Sequence, residues 1–129
     1  MPLASALEVL VVDDQRAMRS LVCDSLRHFG CTRIIECGDG KEALNELLAR
    51  PRHMVISDLN MPVMDGLELL AAVRRDPGLK SMAFIMLTSR GEIELVKKAV
   101  SLGVNNYLMK PFSAAGLKSK IEAVVGPLT

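Results

Sequence analysis

Five residues that could do chemistry stand at the ends of short apolar runs. They are Asp13, Asp14, Asp58, Thr88 and Lys110. If the runs are parallel strands, their carboxyl ends meet at one edge of a sheet, where ligands bind in such folds. We therefore expect these side chains to lie close together, although they are far apart in the sequence.

Three of the five residues are acids, Asp13, Asp14 and Asp58. Carboxylates that converge repel one another, and this repulsion costs stability unless a cation is bound among them. Mg²⁺ prefers oxygen ligands from carboxylates, carbonyls and water. The sequence therefore predicts a magnesium site at this edge of the sheet.

The same edge suits phosphoryl transfer, which mainly requires an in-line nucleophile and neutralisation of the phosphoryl oxygens. Asp58 would be the nucleophile and would form an acyl phosphate. The hydroxyl of Thr88, the ammonium of Lys110 and Mg²⁺ would neutralise the oxygens. On this basis we expect catalytic roles for Asp58, Thr88 and Lys110.

The elements that must position these residues follow an alternating pattern. Continuous apolar runs predict strands over residues 9–12, 34–37, 54–57, 83–87 and 106–109. Apolar residues at helical spacing predict helices over 17–29, 41–49 and 67–75, a fourth marked by Ile93, Val96, Ala99 and Val100, and a fifth N-capped by Ser113. Strands that alternate with helices of this length indicate a doubly wound α/β domain with a parallel sheet. We predict one domain over residues 1–129, with its core over about 8–126.

The composition excludes several function classes. The net charge of +1 and the absence of a basic recognition module argue against DNA binding. The chain has no apolar stretch of about 18 residues and no signal-peptide pattern, so we expect a cytoplasmic protein without membrane insertion. Three cysteines without metal-ligand spacing are interpreted as reduced thiols.

Four motifs in this order, VVDDQRAMR, SDLNMPVMDGLELL, FIMLTS and NNYLMKPF, carry a resemblance that covers essentially the whole chain. Together they resemble the bacterial receiver domain of two-component response regulators, most closely the stand-alone chemotaxis regulators of the CheY type. The resemblance implies a flavodoxin-like fold with strand order 2-1-3-4-5 and five helices on both faces of the sheet.

The resemblance also implies roles for single residues at the metal site. Asp58 resembles the phosphoacceptor and Asp14 a direct Mg²⁺ ligand. Asp13 would assist, through water, and the backbone carbonyl of Asn60 would be a further ligand.

Further roles concern signal output. Thr88 resembles the hydroxyl that moves to bond the phosphoryl group, and Lys110 the ammonium that binds it. Tyr107 resembles the aromatic switch residue that turns inward when Thr88 moves. The peptide bond between Lys110 and Pro111 resembles one that is cis in the family.

The implied function is a single-domain response regulator that receives a phosphoryl group from a histidine kinase. It would not be an enzyme beyond assisting its own phosphotransfer and slow self-dephosphorylation. Output would pass through the helix 4, strand 5 and helix 5 face to a protein such as the flagellar switch, and we expect a monomer. That face and its approach hold several basic residues, which favour an acidic partner segment: Arg90, Lys97, Lys98, Lys118 and Lys120.

Alternatives within this family stay open. The chain could be a phosphate sink, a receiver in a stress or developmental relay, or a binding module that works without phosphorylation. Arg90, two residues after Thr88, and Asn60 would flank the path of the water that hydrolyses the acyl phosphate. The sequence does not fix the direction in which Arg90 changes the phosphate lifetime.

The sequence gives less support to two enzymatic interpretations and to the binding of a cyclic dinucleotide. The segment GDGKEA at 38–43 fits a dinucleotide-binding pattern, but it follows the second strand and the chain is short for two nucleotide-binding halves. A haloacid-dehalogenase-like phosphatase would need an acid two residues after Asp13, where Gln15 stands. A cyclic dinucleotide would call for an arginine-rich motif that is not evident.

Overall fold

The computed structural model describes residues 3–89 and 91–129. The strands are β1 (Glu8–Val12), β2 (Arg33–Cys37), β3 (Met54–Asp58), β4 (Ala83–Thr88) and β5 (Asn106–Met109). The helices are α1 (Arg16–His28), α2 (Gly40–Ala49), α3 (Gly66–Arg75), α4 (Ile93–Ser101) and α5 (Ala114–Val125), with a short 3₁₀ helix at Ala4–Ala6 before β1. The predicted alternation of strands and helices is confirmed, with each described boundary within one or two residues of its predicted place.

The five strands form one parallel sheet in the order β2-β1-β3-β4-β5, as the resemblance implied. The register aligns Val12 with Ser57, Asp58 with Leu87, and Thr88 with Met109. The order reverses beside β1, from which the chain first moves outward to β2 and then returns to β3. The carboxyl ends of β1 and β3 therefore flank the switch point where parallel sheets bind ligands.

Both faces of the central strands are buried, which explains their continuous apolar sequence. Leu10 and Val12 pack on one face, in a cluster that includes residues of α2, α3 and α4. Val9 and Val11 pack on the other, with residues of α1 and α5. Side chains alternate between the faces with the period of two that a strand imposes. Five helices thus cover both faces of the sheet.

Local hydrogen bonds fix where several helices begin. Asp65 and Glu68 form a capping box at the start of α3, each side chain accepting from the other residue's backbone N–H. The side chain of Asp39 accepts from the N–H of Glu42 at the start of α2. Ser113 caps α5 as predicted, by accepting from the N–H of Gly116. Such caps stabilise a helix by about 1 kcal/mol each.

Helix α4 is the least anchored of the five. Ala99 is its only buried residue, and Leu95 packs partly buried beside it. Ile93 and Val100 are 67% and 58% exposed. Burial of apolar surface is the main attractive term in packing, and α4 buries little of its apolar surface. The helix is therefore held only weakly to the sheet.

The structure also bears on two expectations from composition. The three cysteines are buried and unpaired, and burial raises the pKa of Cys23 to about 11 and that of Cys37 to about 12. Their thiols are therefore poor nucleophiles at neutral pH. Within residues 3–89 and 91–129, no helix is long and apolar enough to cross a membrane.

Candidate phosphoacceptor and metal site

Three carboxylates converge at the carboxyl edge of the sheet. Asp13 and Asp14 follow β1 and Asp58 ends β3, and one oxygen of each lies within 4.8 Å of the others. Asp13 is fully buried, Asp58 is buried, and Asp14 is exposed. The structure thus brings together the three acids that the strand ends predicted, with one of them open to solvent.

Asp13 has one carboxylate oxygen that the described residues around it leave unsatisfied. Its Oδ1 accepts from the N–H of Gln15 at 2.9 Å, whereas its buried Oδ2 has no hydrogen-bond partner among the described residues. Burial raises the pKa of Asp13 to about 6, and repulsion from Asp58 and Asp14 acts in the same direction. A buried, unpartnered carboxylate oxygen is costly, and a hard divalent cation is the ligand that would satisfy it. The residues present therefore fit Mg²⁺.

Asp58 is held by two donors that end on the same oxygen. Its Oδ1 accepts from the Lys110 ammonium and from the N–H of Leu59, both at 2.9 Å. Burial is the largest influence on the pKa of Asp58 and raises it, while Lys110 and Leu59 act against this shift. Both donors end on Oδ1, and neither contacts Oδ2.

Thr88 and Lys110 are connected by a backbone hydrogen bond. The N–H of Lys110 donates to the carbonyl of Thr88 at 2.7 Å, which keeps the end of β4 beside the start of the segment after β5. The hydroxyl of Thr88 is buried and has no hydrogen-bond partner among the described residues. The bond between Lys110 and Pro111 is cis, in agreement with the expectation from the resemblance.

Close backbone approaches shape the loop after Asp58. A Cβ on Gly66 would lie 2.4 Å from the carbonyl oxygen of Asp58, so only glycine fits there. Gly66 also donates to the carbonyl of Leu59 at 2.9 Å. Gly40 packs in the same way, because a Cβ there would lie 2.5 Å from the carbonyl oxygen of Met64. These contacts fix the loop between Asp58 and α3.

One residue of that loop has an unusual backbone. Val63 has φ +68° and its side chain is 75% exposed. This left-handed region is rare for a β-branched residue, because its Cβ crowds the following carbonyl. The loop is therefore strained at the position that faces solvent.

Glu92 is a site residue that sequence reasoning missed. It lies in the loop between β4 and α4, and its carboxylate accepts from the Asn60 side-chain amide at 2.6 Å. It also accepts from the N–H and hydroxyl of Ser89, at 2.6 and 2.7 Å. The spacing of Ser89 and Glu92 matches a capping-box pattern, which could have drawn attention to Glu92. Arg90, between them, lies outside the described residues.

Tyr107 lies on β5 beside an apolar cleft of about 340 Å³ that Thr88 also lines. Its side chain is partly exposed, and the Lys120 ammonium lies 5.7 Å from the centre of its ring. Ile93 and Met109 contribute apolar surface to the same cleft. The structure therefore places the two residues expected to act as the switch around one cavity.

The sequence profile of the response regulator receiver domain matches residues 9–122. The chain is 46% identical over 128 residues to the probable chemotaxis protein CheY of Rhizobium etli, covering 99% of each chain. It is 39% identical to the chemotaxis protein CheY of Pseudomonas aeruginosa over 118 residues, covering 92% of this chain and 95% of that protein.

A solved structure agrees with these sequence matches. That of the chemotaxis response regulator CheY4 of Vibrio cholerae aligns with a TM-score of 0.84 and 32% identity, over 92% of this chain and 98% of that one. The family profile covers most of the chain, and the relatives match along almost its full length. The chain therefore belongs to the response regulator receiver domain family, as a receiver of the CheY type that acts in phosphorelay signalling rather than as an ordinary enzyme.

Proposed function

We propose that this chain is a single receiver domain over residues 1–129 that accepts a phosphoryl group on Asp58 from a histidine kinase. The observation that carries the proposal is the position of the Asp58 carboxylate. It lies 2.9 Å from the Lys110 ammonium and close to the unpartnered oxygen of buried Asp13. A nucleophile next to a cation and to further acid ligands is what acyl-phosphate formation requires.

In the transfer, Oδ2 of Asp58 attacks the phosphorus of the donor phosphohistidine. A new O–P bond forms as the P–N bond breaks, and the imidazole leaves with the electron pair and takes a proton from solvent. Lys110 holds the other oxygen of Asp58 and so orients the carboxylate. The ammonium remains close enough to interact with the incoming negative charge.

Mg²⁺ is proposed as the cofactor. The carboxylates of Asp13, Asp14 and Asp58 and the backbone carbonyl of Asn60 would hold it. When bound, it supplies positive charge that neutralises the phosphoryl oxygens.

Signal output is proposed to begin at Thr88. Its hydroxyl is free to bond the phosphoryl group, and the shift would open space in the cleft for the Tyr107 ring to turn inward. The altered face of α4, β5 and α5 would then bind a protein partner. Because the relatives are chemotaxis proteins, a component of the flagellar switch is the proposed partner and the cytoplasm the proposed compartment.

Two further properties belong to this proposal. The protein acts as a monomer, and its acyl phosphate is lost slowly when water attacks the phosphorus. Asn60 would flank the path of that water and influence its rate.

The test is intact-mass spectrometry after incubation with acetyl phosphate, with and without Mg²⁺. We expect one phosphoryl adduct on the wild type that requires Mg²⁺, and no adduct on Asp58→Asn. Asp24→Asn is the matched control, because Asp24 is an exposed acid that pairs with Arg27 on α1, and its loss should not change the adduct. An adduct of normal yield on folded Asp58→Asn would refute the phosphoacceptor assignment. A folded wild type that gains none would favour a binding module independent of phosphorylation.

A further inference from the structure

Glu92 connects the two loops that flank Asp58. Asn60 belongs to the loop after β3, and Ser89 and Glu92 to the loop after β4. The Glu92 carboxylate accepts one hydrogen bond from Asn60 and two from Ser89, all between 2.6 and 2.7 Å. Hydrogen bonds to a charged acceptor are among the stronger ones in proteins. A single side chain thus holds both loops together.

The connection restrains the segment that carries Thr88. Ser89 follows Thr88 directly, and the Thr88 hydroxyl has no partner among the described residues. The side chain of Thr88 is therefore not what fixes this part of the chain. The hydrogen bonds of Ser89 to Glu92 fix it on one side, and the contact of the Thr88 carbonyl with the Lys110 N–H on the other.

The same carboxylate also restrains the start of α4. Glu92 is the residue immediately before that helix. Apart from Ala99, α4 buries little of its own surface. Release of Glu92 would therefore remove a large share of what holds the amino end of α4 in place.

The charge of Glu92 makes this connection sensitive to what happens at Asp58. Within the described part of the chain, no lysine or arginine forms an ion pair with Glu92. Its negative charge is felt at Asp58, where it contributes to the raised pKa. With Mg²⁺ bound in both states, a phosphoryl group adds negative charge and three acceptor oxygens at that point, so the repulsion of Glu92 increases.

We propose that Glu92 is a charge-operated latch that holds the loop after β4 closed in the unphosphorylated protein and is released by the charge added at Asp58. This inference rests on the proposed function. Release frees Ser89, and with it the segment of Thr88 and the first turn of α4. Glu92 is a positioning residue, since it acts through Asn60 and Ser89.

The experiment is hydrogen exchange of the backbone amides at 91–97, in Mg²⁺ throughout, with and without acetyl phosphate, and with phosphorylation followed by intact mass. In the wild type we expect exchange to rise about fivefold on phosphorylation, as local opening becomes easier. Glu92→Gln keeps an acceptor for Ser89 but lacks the charge. It should exchange within about twofold of wild type before phosphorylation and show less than about half of the rise afterwards.

Two further variants complete the test. Glu92→Ala removes the connection, so its exchange should already be about fivefold faster without any phosphoryl group. Glu94→Gln is the matched control, because Glu94 is exposed on the same helix and pairs with Lys97. It should behave as wild type.

Several results would overturn the latch. One is an exchange rate in unphosphorylated Glu92→Ala that equals that of wild type. The others are a full rise of exchange in phosphorylated Glu92→Gln, and no rise of exchange in a wild type that carries the phosphoryl adduct. In each of these cases the adduct on Asp58 would stand, so the proposed function would survive. A wild type without an adduct would instead overturn the proposed function together with the release step.

Discussion

The two edges of the sheet differ in how far their buried polar side chains are satisfied by hydrogen bonds. At the amino edge, the Arg74 guanidinium donates to the carbonyls of Gly103, Lys80 and Met82 and to the side-chain oxygen of Asn105, at 2.7 to 3.1 Å. At the carboxyl edge, Asp13 and Thr88 bury oxygen atoms that have no partner among the described residues. The carboxyl edge pairs Asp58 with Lys110 but leaves these two oxygens unsatisfied, whereas the guanidinium of Arg74 at the amino edge is fully engaged.

This difference suggests that the hydrogen bonds of the amino edge serve stability, and that the carboxyl edge serves the proposed function. Arg74 joins the end of α3 to the segments before β4 and β5, and Arg50 pairs with Glu8 at 2.7 Å in the same region. Only the Nε of Arg52 is unpartnered among the buried atoms described there, and the rest of its guanidinium bonds to Glu46 and Arg50. Unsatisfied buried groups cost stability, so they persist where a ligand is to use them. The unpartnered oxygens thus lie at the edge where we propose that a ligand binds, and the fully bonded guanidinium of Arg74 lies at the edge that holds the fold together.

The strongest test of this contrast is Arg74→Ala. It removes four hydrogen bonds to acceptors that become partly unsatisfied, so we expect the free energy of unfolding to fall by about 3 kcal/mol. Urea denaturation measures the change, and Arg75→Ala, at the exposed neighbouring position, is the control. Phosphorylation of the folded variant by acetyl phosphate should be unchanged. A stable Arg74→Ala that loses phosphorylation would reverse the division of roles.

A second prediction concerns pH at the carboxyl edge. The pKa of Asp13 is raised from 3.8 to about 6, so between these values the folded protein binds a proton that the unfolded chain does not. The free energy of unfolding should therefore fall as pH rises through this window. Without Mg²⁺, lowering the pH from 7 to 5 should stabilise the protein by about 1 kcal/mol. The raised pKa of Asp58 acts with the same sign.

Urea denaturation at pH 5, 6 and 7 with and without Mg²⁺ provides the measurement. Mg²⁺ should flatten the pH dependence, because it stabilises the ionised carboxylates at pH 7. Asp13→Asn should also reduce it. An equal slope in Asp13→Asn would show that another group titrates. The absence of any Mg²⁺ effect at all three pH values would argue against the metal site.

The smallest expected effect concerns Val63. Asparagine tolerates its left-handed backbone better than valine does, so Val63→Asn should stabilise the protein by about 0.5 kcal/mol. Val63→Ala keeps a Cβ without the β-branch and serves as the comparison, with a smaller gain. The shift is measured by thermal or urea denaturation. If asparagine destabilises the protein, the strain is not located at this residue.

Much of the fold could be predicted from the sequence because its signals are local. The run of residues 106–109 was predicted as the fifth strand and forms β5 with the same limits. Ser113 was predicted as a cap and caps α5. The strand ends then identified the three acids that meet within 4.8 Å, since the sheet alone determines that edge. Strand order and the cis bond before Pro111 came from the family resemblance.

Other features depend on contacts between distant segments and carried no local signal. The spacing of Ile93 and Val100 identified α4 as a helix, but both side chains are largely exposed, because the helix lies at the margin of the sheet. The partners of Arg74 come from two separate loops, the one before β4 and the one before β5. The hydrogen bond of Asn60 with Glu92 spans 32 residues. The left-handed backbone of Val63 contradicts what its residue type favours.

The thin packing of α4 has a consequence for how the domain accommodates mutation. A helix that buries little beyond Ala99 can be displaced at a small free-energy cost compared with the roughly 5–15 kcal/mol that keeps a typical domain folded. Its movement can therefore carry a message without partial unfolding of the core. Substitutions on the exposed face of α4, which we propose as part of the output surface, should leave thermal stability nearly constant. A receiver of this kind could then acquire new partners without first gaining a reserve of stability.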